Sequence, residues 1–402
     1  MVEGAFDGVR VVEYATMVSG PYCGKLLADM GADVIKVEEP RRGDPARQRG
    51  PFPADQPHPE RSGLFLYLNT SKRGITLDPA HRSGRDAFER LIRWADVLVD
   101  NHRPERLESL GLGWEAVRAI NPALIVTSIT PYGRTGPRSG QKGSELTSYH
   151  AGGMGNLLPT RSVDVNRAPV KAGGYPVGYH AGLTAALATA AALVGRRATG
   201  SGRLIDISEQ EAILALVRTN LAGTIYNRST WSRVPERPPG MGRMECRDGY
   251  VVLAAFEDHH WRGLMELMGN PEWASDPAWG SLKYRAHHLL EIAPLLDEWM
   301  LQQSKDDIHH KGAAKGFAIG PVNTAEDVIN YRQYEARGYF VDVDHPEGGR
   351  FRYAGSPYQM SATPPRVQRP APLLGQHNEE VYRGLLGYSD EQLHRMREVG
   401  AA

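Results

Sequence analysis

Cysteine is nearly absent from this 402-residue chain, which carries only Cys23 and Cys246. Two thiols cannot build the disulfide framework of a small secreted scaffold, so the reducing cytoplasm is the expected compartment. Net charge is absent too, with 47 Lys+Arg against 47 Asp+Glu. Bulk attraction to nucleic acid or to an anionic membrane is thereby excluded as a partner mode, while a small cationic pocket is not. No basic run followed by an apolar stretch stands at the N-terminus, so no signal peptide is expected. The longest nearly apolar run, Ala181 to Val194, falls short of the ~20 residues of a membrane span. The sequence contains no Walker loop, no Gly-x-Gly-x-x-Gly fingerprint and no Gly-x-Ser-x-Gly elbow. These absences argue against ATP, NAD and α/β-hydrolase chemistry. His259-His260 and His309-His310 are adjacent pairs without the i,i+4 spacing of a metal helix, so no metal is expected.

What is present is an alternation of strand and helix patterns. With 41% hydrophobic and 23% charged residues the chain reads as globular, and its length suits two domains or one elaborated α/β domain. Val9 to Tyr14 reads as a strand, Tyr22 to Met30 as a helix capped by Gly31, and Asp33 to Glu38 as the next strand. The pattern recurs in Ile75 to Leu77, Gly84 to Trp94, Asp96 to Val99, Trp114 to Ile120 and Leu124 to Ser128. Four such units predict an α/β fold with a doubly wound parallel sheet. Arg41 to Pro59, Arg134 to Gly153 and Pro169 to Pro176 read as loops, the last opening a helix from Gly178 to Val194. Prolines and glycines around Arg233 to Gly242 mark a linker. Beyond it, the strand Gly249 to Ala255 and helices at Asp258 to Met268, Leu289 to Gln302 and Ser304 to Lys315 predict a smaller α+β domain. A late strand at Arg350 to Tyr353 and a late helix at Glu379 to Leu386 follow.

In an open α/β sheet, ligands bind beyond the carboxyl ends of the strands. Three loops there carry candidate ligand groups. The first holds Asn69, Lys72 and Arg73, and the second Asn101, His102, Arg103 and Arg106. The third holds Lys142 and Glu145. Cations and backbone amides in such loops match the charge of a nucleotide with several phosphates. Each cation alone reads more readily as a solvated surface charge. Glu145 is a candidate acid or base next to Lys142, or half of a surface ion pair. His180 reads as packing for a helix start, and Cys23 as a small buried residue.

The stretches Gly20-Pro21 through Leu26 to Glu38, Leu68-Asn69 with Lys72-Arg73, and Asp96 to Asn101 with Arg103-Pro104 together resemble the class III CoA-transferases. That family includes formyl-CoA and carnitine CoA-transferases and α-methylacyl-CoA racemase. Leu110 to Trp114, Gly200 with Gly202, Gly320 to Asn323, Ala336 to Gly338, Gly355 to Pro357 and Leu374 to His377 extend the resemblance over nearly the whole chain. It implies a large CoA-binding domain at 1–225, a small domain at 226–330 and a segment at 331–402 that returns to the large domain. It also implies an interlocked dimer with each active site between one chain's large domain and the other's small domain. Coenzyme A or acyl-CoA is the implied substrate, with a carboxylic acid as its partner. Asn101, His102 and Arg103 are implied to line the CoA site, with the loops of Lys72 and of Lys142 to Glu145. Val18 and Ser19 are implied to approach the thioester, with Val18 standing where the family often has glutamine.

The departure that matters most is Gly174, which occupies the position of the family's nucleophilic aspartate. A glycine cannot attack a thioester. The racemase branch needs that aspartate and a histidine in the Ser144 loop, and both are missing. The expected role is therefore the nucleophile-lacking subunit of a heteromeric CoA-transferase, resembling benzylsuccinate CoA-transferase with its two homologous subunits. The rival readings are a stand-alone enzyme using another residue such as Glu145, and a non-catalytic CoA-binding or scaffold protein. Trp231, Tyr226 and Trp261 are read as core packing, or as walls for a bulky acyl group.

Overall fold

The computed structural model describes residues 4–159, 166–229, 241–255 and 257–402. Trp231 and most of the expected linker lie outside these residues. The chain divides into two compact units. The first comprises Met1–Leu158, Ala168–Trp231 and Gly338–Ala402, and the second Pro159–Arg167 with Ser232–Arg337.

The first unit opens with β1 (Arg10–Tyr14), α1 (Ser19–Asp29), β2 (Asp33–Glu38), α2 (Gly63–Leu68), β3 (Arg73–Thr76), α3 (Arg82–Trp94) and β4 (Val97–Asp100). Next come α4 (Pro104–Ser109), α5 (Trp114–Ile120), β5 (Ile125–Thr130), α6 (Glu145–Ala151), α7 (Pro176–Thr199), β6 (Arg203–Ser208), α8 (Glu209–Leu214) and α9 (Arg218–Asn227). The six strands pair in the order β3-β2-β1-β4-β5-β6, every neighbour parallel. Side chains alternate across the sheet, so Val12, Ile35 and Leu98 meet α3 and α5 on one face. Val11, Val34, Val97 and Val99 meet α1 and α7 on the other. Both faces are covered, so even the charged Glu13, Lys36 and Glu38 of these strands are buried.

Helix α7 is long and apolar enough to cross a membrane by length and composition, and half of that stretch is buried. It packs on α1 through small residues. A Cβ at Gly182 would stand 2.5 Å from the Ser19 carbonyl oxygen, and one at Gly178 would stand 2.9 Å from the Val18 Cβ. Glycine at these two positions lets the helices approach and seats α7 on the Val18–Ser19 turn.

The second unit holds an antiparallel sheet of β7 (Met241–Cys246), β8 (Gly249–Ala254) and β9 (Ala318–Pro321). Helices α10 (Asp258–Leu267), α11 (Leu282–His287), α12 (Leu289–Leu301), α13 (Lys305–Ala314), α14 (Ala325–Ile329) and α15 (Arg332–Ala336) accompany it. Its core includes Val251, Leu253, Trp261, Leu264, Ile292 and Ile308. The chain then forms the hairpin β10 (Phe340–His345) and β11 (Gly349–Ala354), a π-helical turn at Glu380–Leu385 and α16 (Asp390–Glu398), all within the first unit. Tyr382 donates its hydroxyl to the Thr76 carbonyl at 2.7 Å, fastening this tail to β3.

Two sequence expectations need correction here. The glycine-rich stretch Arg134 to Gly153 contains α6, whose start is fixed by a Ser144–Thr147 capping box. The pattern also passes over β6, although it pairs with β5 through six residues.

Candidate functional site

The strand order reverses between β1 and β4, and the residues after their carboxyl ends form the first part of the site. Asn101 follows β4 and spans the gap. Its Oδ1 accepts the Thr16 N–H at 2.9 Å, and its Nδ2 donates to Thr16 O at 2.7 Å and Ser19 Oγ at 3.1 Å. Met17, at φ +62°, turns the chain so that Ser19 becomes the first residue of α1. His102 lies against the Tyr14 ring at 4.4 Å, and its Nδ1 is 2.7 Å from Asp100 Oδ1. Both rings, with Thr16, Leu77, Asp78 and Arg106, line a cavity of about 460 Å³. Burial pushes the Tyr14 phenol up, with Arg106 beside it opposing the shift. Four acidic residues line this cavity; Glu39 is exposed and Asp78 caps the Ala80 N–H, while the other two are engaged inward. Glu38 binds Arg47 at 2.7 and 2.8 Å, and Asp44 binds Lys36 at 2.8 Å.

The second part surrounds the start of α7. Glu145 Oε1 and Oε2 accept the N–H groups of Val177 and Gly178, each at 3.0 Å. The carboxylate thus caps the positive end of a 24-residue helix. Gly174 lies just before that helix, exposed, at φ +71°, and a Cβ built there meets no atom within 4 Å. Lys171 Nζ donates to Ala172 O at 2.5 Å and Gly174 O at 2.6 Å, and lies 3.7 Å from Glu145 Oε1. Because Gly178 abuts Val18, the Val18–Ser19 turn and the Gly174 loop belong to one neighbourhood.

Val18, Ser19, Asn101 and Glu145 are thus placed around the starts of α1 and α7, with His102 beside them on the cavity wall. Arg103 and Lys142 are exposed. Lys72 and Arg73 serve other purposes than ligand binding from solvent. Lys72 is fully buried, and its ammonium is taken by Glu13 Oε2 at 2.7 Å, Pro21 O at 2.8 Å and Asn69 Oδ1 at 2.8 Å. Burial pulls its pKa down to about 8 against the pull of Glu13. Asn69 is likewise buried and orients Lys72. Arg73 opens β3, at the amino end of the sheet, where it binds Asp33 and Glu380 at 2.6 and 2.9 Å. Glu145, read as an acid or base or as half of an ion pair, has both oxygens occupied by helix amides. Of the aromatic residues read as acyl walls, Trp261 is in the second unit's core and Tyr226 is exposed.

Sequence reasoning missed Lys171 and Glu209. Nothing in the residue pattern distinguishes Lys171 from a solvated lysine. Glu209 begins α8 and faces the Ser19 and Ser148 hydroxyls; burial, with Glu145 adding repulsion, raises its pKa. The position of β6 was the signal that could have found it. Among the described residues no group of three His, Cys, Asp or Glu is placed to hold a metal.

The sequence matches the family model of CoA-transferase family III over residues 6–378. It is 33% identical to succinyl-CoA–D-citramalate CoA-transferase of Chloroflexus aurantiacus, over 96% of this chain and 95% of that protein. It is 32% identical to formyl-CoA:oxalate CoA-transferase of Streptomyces coelicolor, with both chains fully covered at 100%. The fold is similar to the crystal structure of a CAIB/BAIF family protein from Brucella suis, with a TM-score of 0.84 and 29% identity. That match covers 95% of this chain and 100% of the other.

Proposed function

This chain belongs to CoA-transferase family III, and we propose that it serves as the subunit without its own nucleophile in a heteromeric acyl-CoA transferase. The observation that carries this reading is Gly174, which leaves open space at the head of α7 where a nucleophilic carboxylate is expected. Covalent catalysis needs that group within bonding reach of the thioester carbonyl. The neighbouring carboxylate, Glu145, is held on two helix amides.

In this reading the chain binds an acyl-CoA in its large domain, and a homologous subunit supplies the aspartate for transfer to a carboxylic acid. The cavity beside Tyr14, His102 and Arg106 supports a nucleotide-binding role, with an aromatic wall and a cation. Association with a second chain, interlocked as the family resemblance implies, is supported by exposed apolar residues on α7 and α9. Leu187 is 71% exposed and Ile225 is 72% exposed. The reduced cytoplasm is the proposed location, in keeping with the two free thiols.

The test is trapping with acyl-CoA and hydroxylamine, read by intact mass. The chain alone should stay unmodified, while a homologous partner with aspartate at the matching position should be labelled. An adduct on a carboxylate of the isolated chain would overturn the reading and favour a stand-alone enzyme that uses another acid, Glu209 foremost because it faces Ser19.

A further inference from the structure

The turn after β1 holds a backbone conformation that its sequence does not favour. Met17 stands at φ +62°, in the left-handed region where a Cβ crowds the following carbonyl oxygen. Such a conformation persists only where its surroundings over-determine it. Here they do. The Ala15 carbonyl accepts a bond from Lys36 Nζ at 3.0 Å. Thr16 gives its N–H and its carbonyl to the Asn101 amide at 2.9 and 2.7 Å. The Met17 N–H donates to Asp44 Oδ1 at 2.9 Å. Side chains from three other segments thus hold the backbone polar atoms of three consecutive residues. Two of the holders form a pair closed to water. Lys36 and Asp44 are 0% and 1% exposed and lie 2.8 Å apart. The remaining ammonium proton of Lys36 goes to Glu13 Oε1 at 3.0 Å. Asp44 also accepts the Ala46 N–H at 2.8 Å, and its own N–H donates to Glu38 at 2.9 Å. A network with every member satisfied is rigid. A charge pair this deep is weak evidence of stability, because desolvation offsets its attraction. What it supplies is placement. Ala15 and Thr16 line the cavity of about 460 Å³ beside Tyr14 and His102, and Asp44 borders it.

We propose that Lys36 and Asp44 are positioning residues, which with Asn101 hold the Ala15–Met17 turn in its strained form as a ready-made wall for the nucleotide of an acyl-CoA. The inference rests on the reading that this cavity takes that nucleotide. It gives neither residue a contact with reacting atoms. Without the clamp the turn relaxes toward negative φ and draws Thr16 out of the wall. The ligand must then restore the strained form as it binds, and its apparent affinity falls with the fraction of chains that hold the turn ready. Asn101 carries the same placement to the Ser19 hydroxyl at the start of α1, 3.1 Å away. Lys72 supplies the contrast. It joins the same buried charges through Glu13, but it grips the Pro21 carbonyl and not the turn.

The test is calorimetric titration of the full chain with coenzyme A, set beside urea unfolding of the same variants. Asp44→Ala should weaken CoA binding about tenfold or more. Lys72→Met should lose stability yet bind CoA within about twofold of the unaltered chain, because the turn stays ready. Met17→Gly, added to Asp44→Ala, should recover affinity without recovering stability, since glycine takes a positive φ unaided. Met17→Val leaves the buried charges alone and carries the test even where Asp44→Ala does not fold. A β-branched side chain is the least tolerated at this φ, so CoA binding should weaken several-fold. Variants at 44 and 17 that fold and bind CoA like the unaltered chain would overturn the proposal. So would affinity losses that follow stability alike in Asp44→Ala and Lys72→Met, as a merely structural pair would give. In both cases CoA binding by the unaltered chain leaves the nucleotide reading standing. If the unaltered chain does not bind CoA, both fall.

Discussion

Replacing Glu145 separates a cap from a catalyst. Each of its oxygens accepts one amide of the first turn of α7 at 3.0 Å. A hydrogen bond to a charged group contributes about 1.5–3 kcal/mol, and the loss of an ordinary N-cap costs about 0.5–2 kcal/mol. The site is only half-buried, so water replaces part of what is lost. Glu145→Ala should therefore destabilise the first unit by about 2–4 kcal/mol. The Lys171 pair at 3.7 Å adds less than about 1 kcal/mol to that. Glu145→Gln should cost roughly half, since an amide keeps one acceptor oxygen but turns its NH2 toward a backbone N–H. Urea unfolding gives the stability, and hydrogen exchange at Val177 and Gly178 should quicken before exchange further along α7. The reasoning fails if Glu145→Ala leaves stability and those amides unchanged and instead abolishes transfer in the assembled enzyme. That outcome would return Glu145 to the role of acid or base.

Gly174→Asp should fold, because the new Cβ has room, with a penalty of about 1–2 kcal/mol for a side chain in the left-handed region. It should also acquire a hydroxylamine-sensitive adduct with acyl-CoA, measured by mass. Lys72→Met should destabilise the first unit in chemical denaturation by less than the about 3–5 kcal/mol of a fully broken buried pair, because Glu13 would lose its 2.7 Å partner but keep Lys36 at 3.0 Å. Asp327 is held down to about 2 by its bond to Lys305, with Thr324 adding to the effect. Its contribution to the second unit is thus present above its ordinary pKa and lost as pH falls toward 2. Acid titration of tryptophan fluorescence should show that loss, and Asp327→Asn should flatten it.

The sheet was legible because its strands are buried on both faces. Asp33 to Glu38 and Trp114 to Ile120 match their elements end to end, and the ends of the others differ by a few residues. Apolar periodicity and glycine stops depend on local chemistry, which a sequence displays. The sequence does not display which charges are spent on one another. Lys72 and Arg73 are neighbours with the look of a phosphate loop. The fold sends one under α1 to Glu13 and the other to the amino end of the sheet, and both are satisfied there. Helix α6 was hidden by the glycines around it, so Glu145 read as a free loop acid. Its capping bonds to Val177 and Gly178 cross 32 and 33 residues. No local pattern carries a contact of that range.

The same long-range contacts explain what the glycine at position 174 does for the loop. An acid there would sit in a left-handed conformation that glycine adopts without strain. It would also bring another negative charge to a neighbourhood that already holds Glu145 and Glu209. Burial and Glu145 already raise the pKa of Glu209, and a further anion would raise it more. Lys171 is the cation paired with this group, and it is anchored by two loop carbonyls. With glycine in place, the ammonium is not claimed by an adjacent aspartate. On the proposed reading, glycine at 174 spares the loop the strain of a side chain in the left-handed region. Gly174→Asp should bring both that strain and the added charge, so a gain of covalent reactivity should come with a lower melting temperature and a still higher pKa at Glu209. A carboxyl-resolved NMR titration of the two forms would measure that shift, and an unmoved Glu209 would break the link between the two sites.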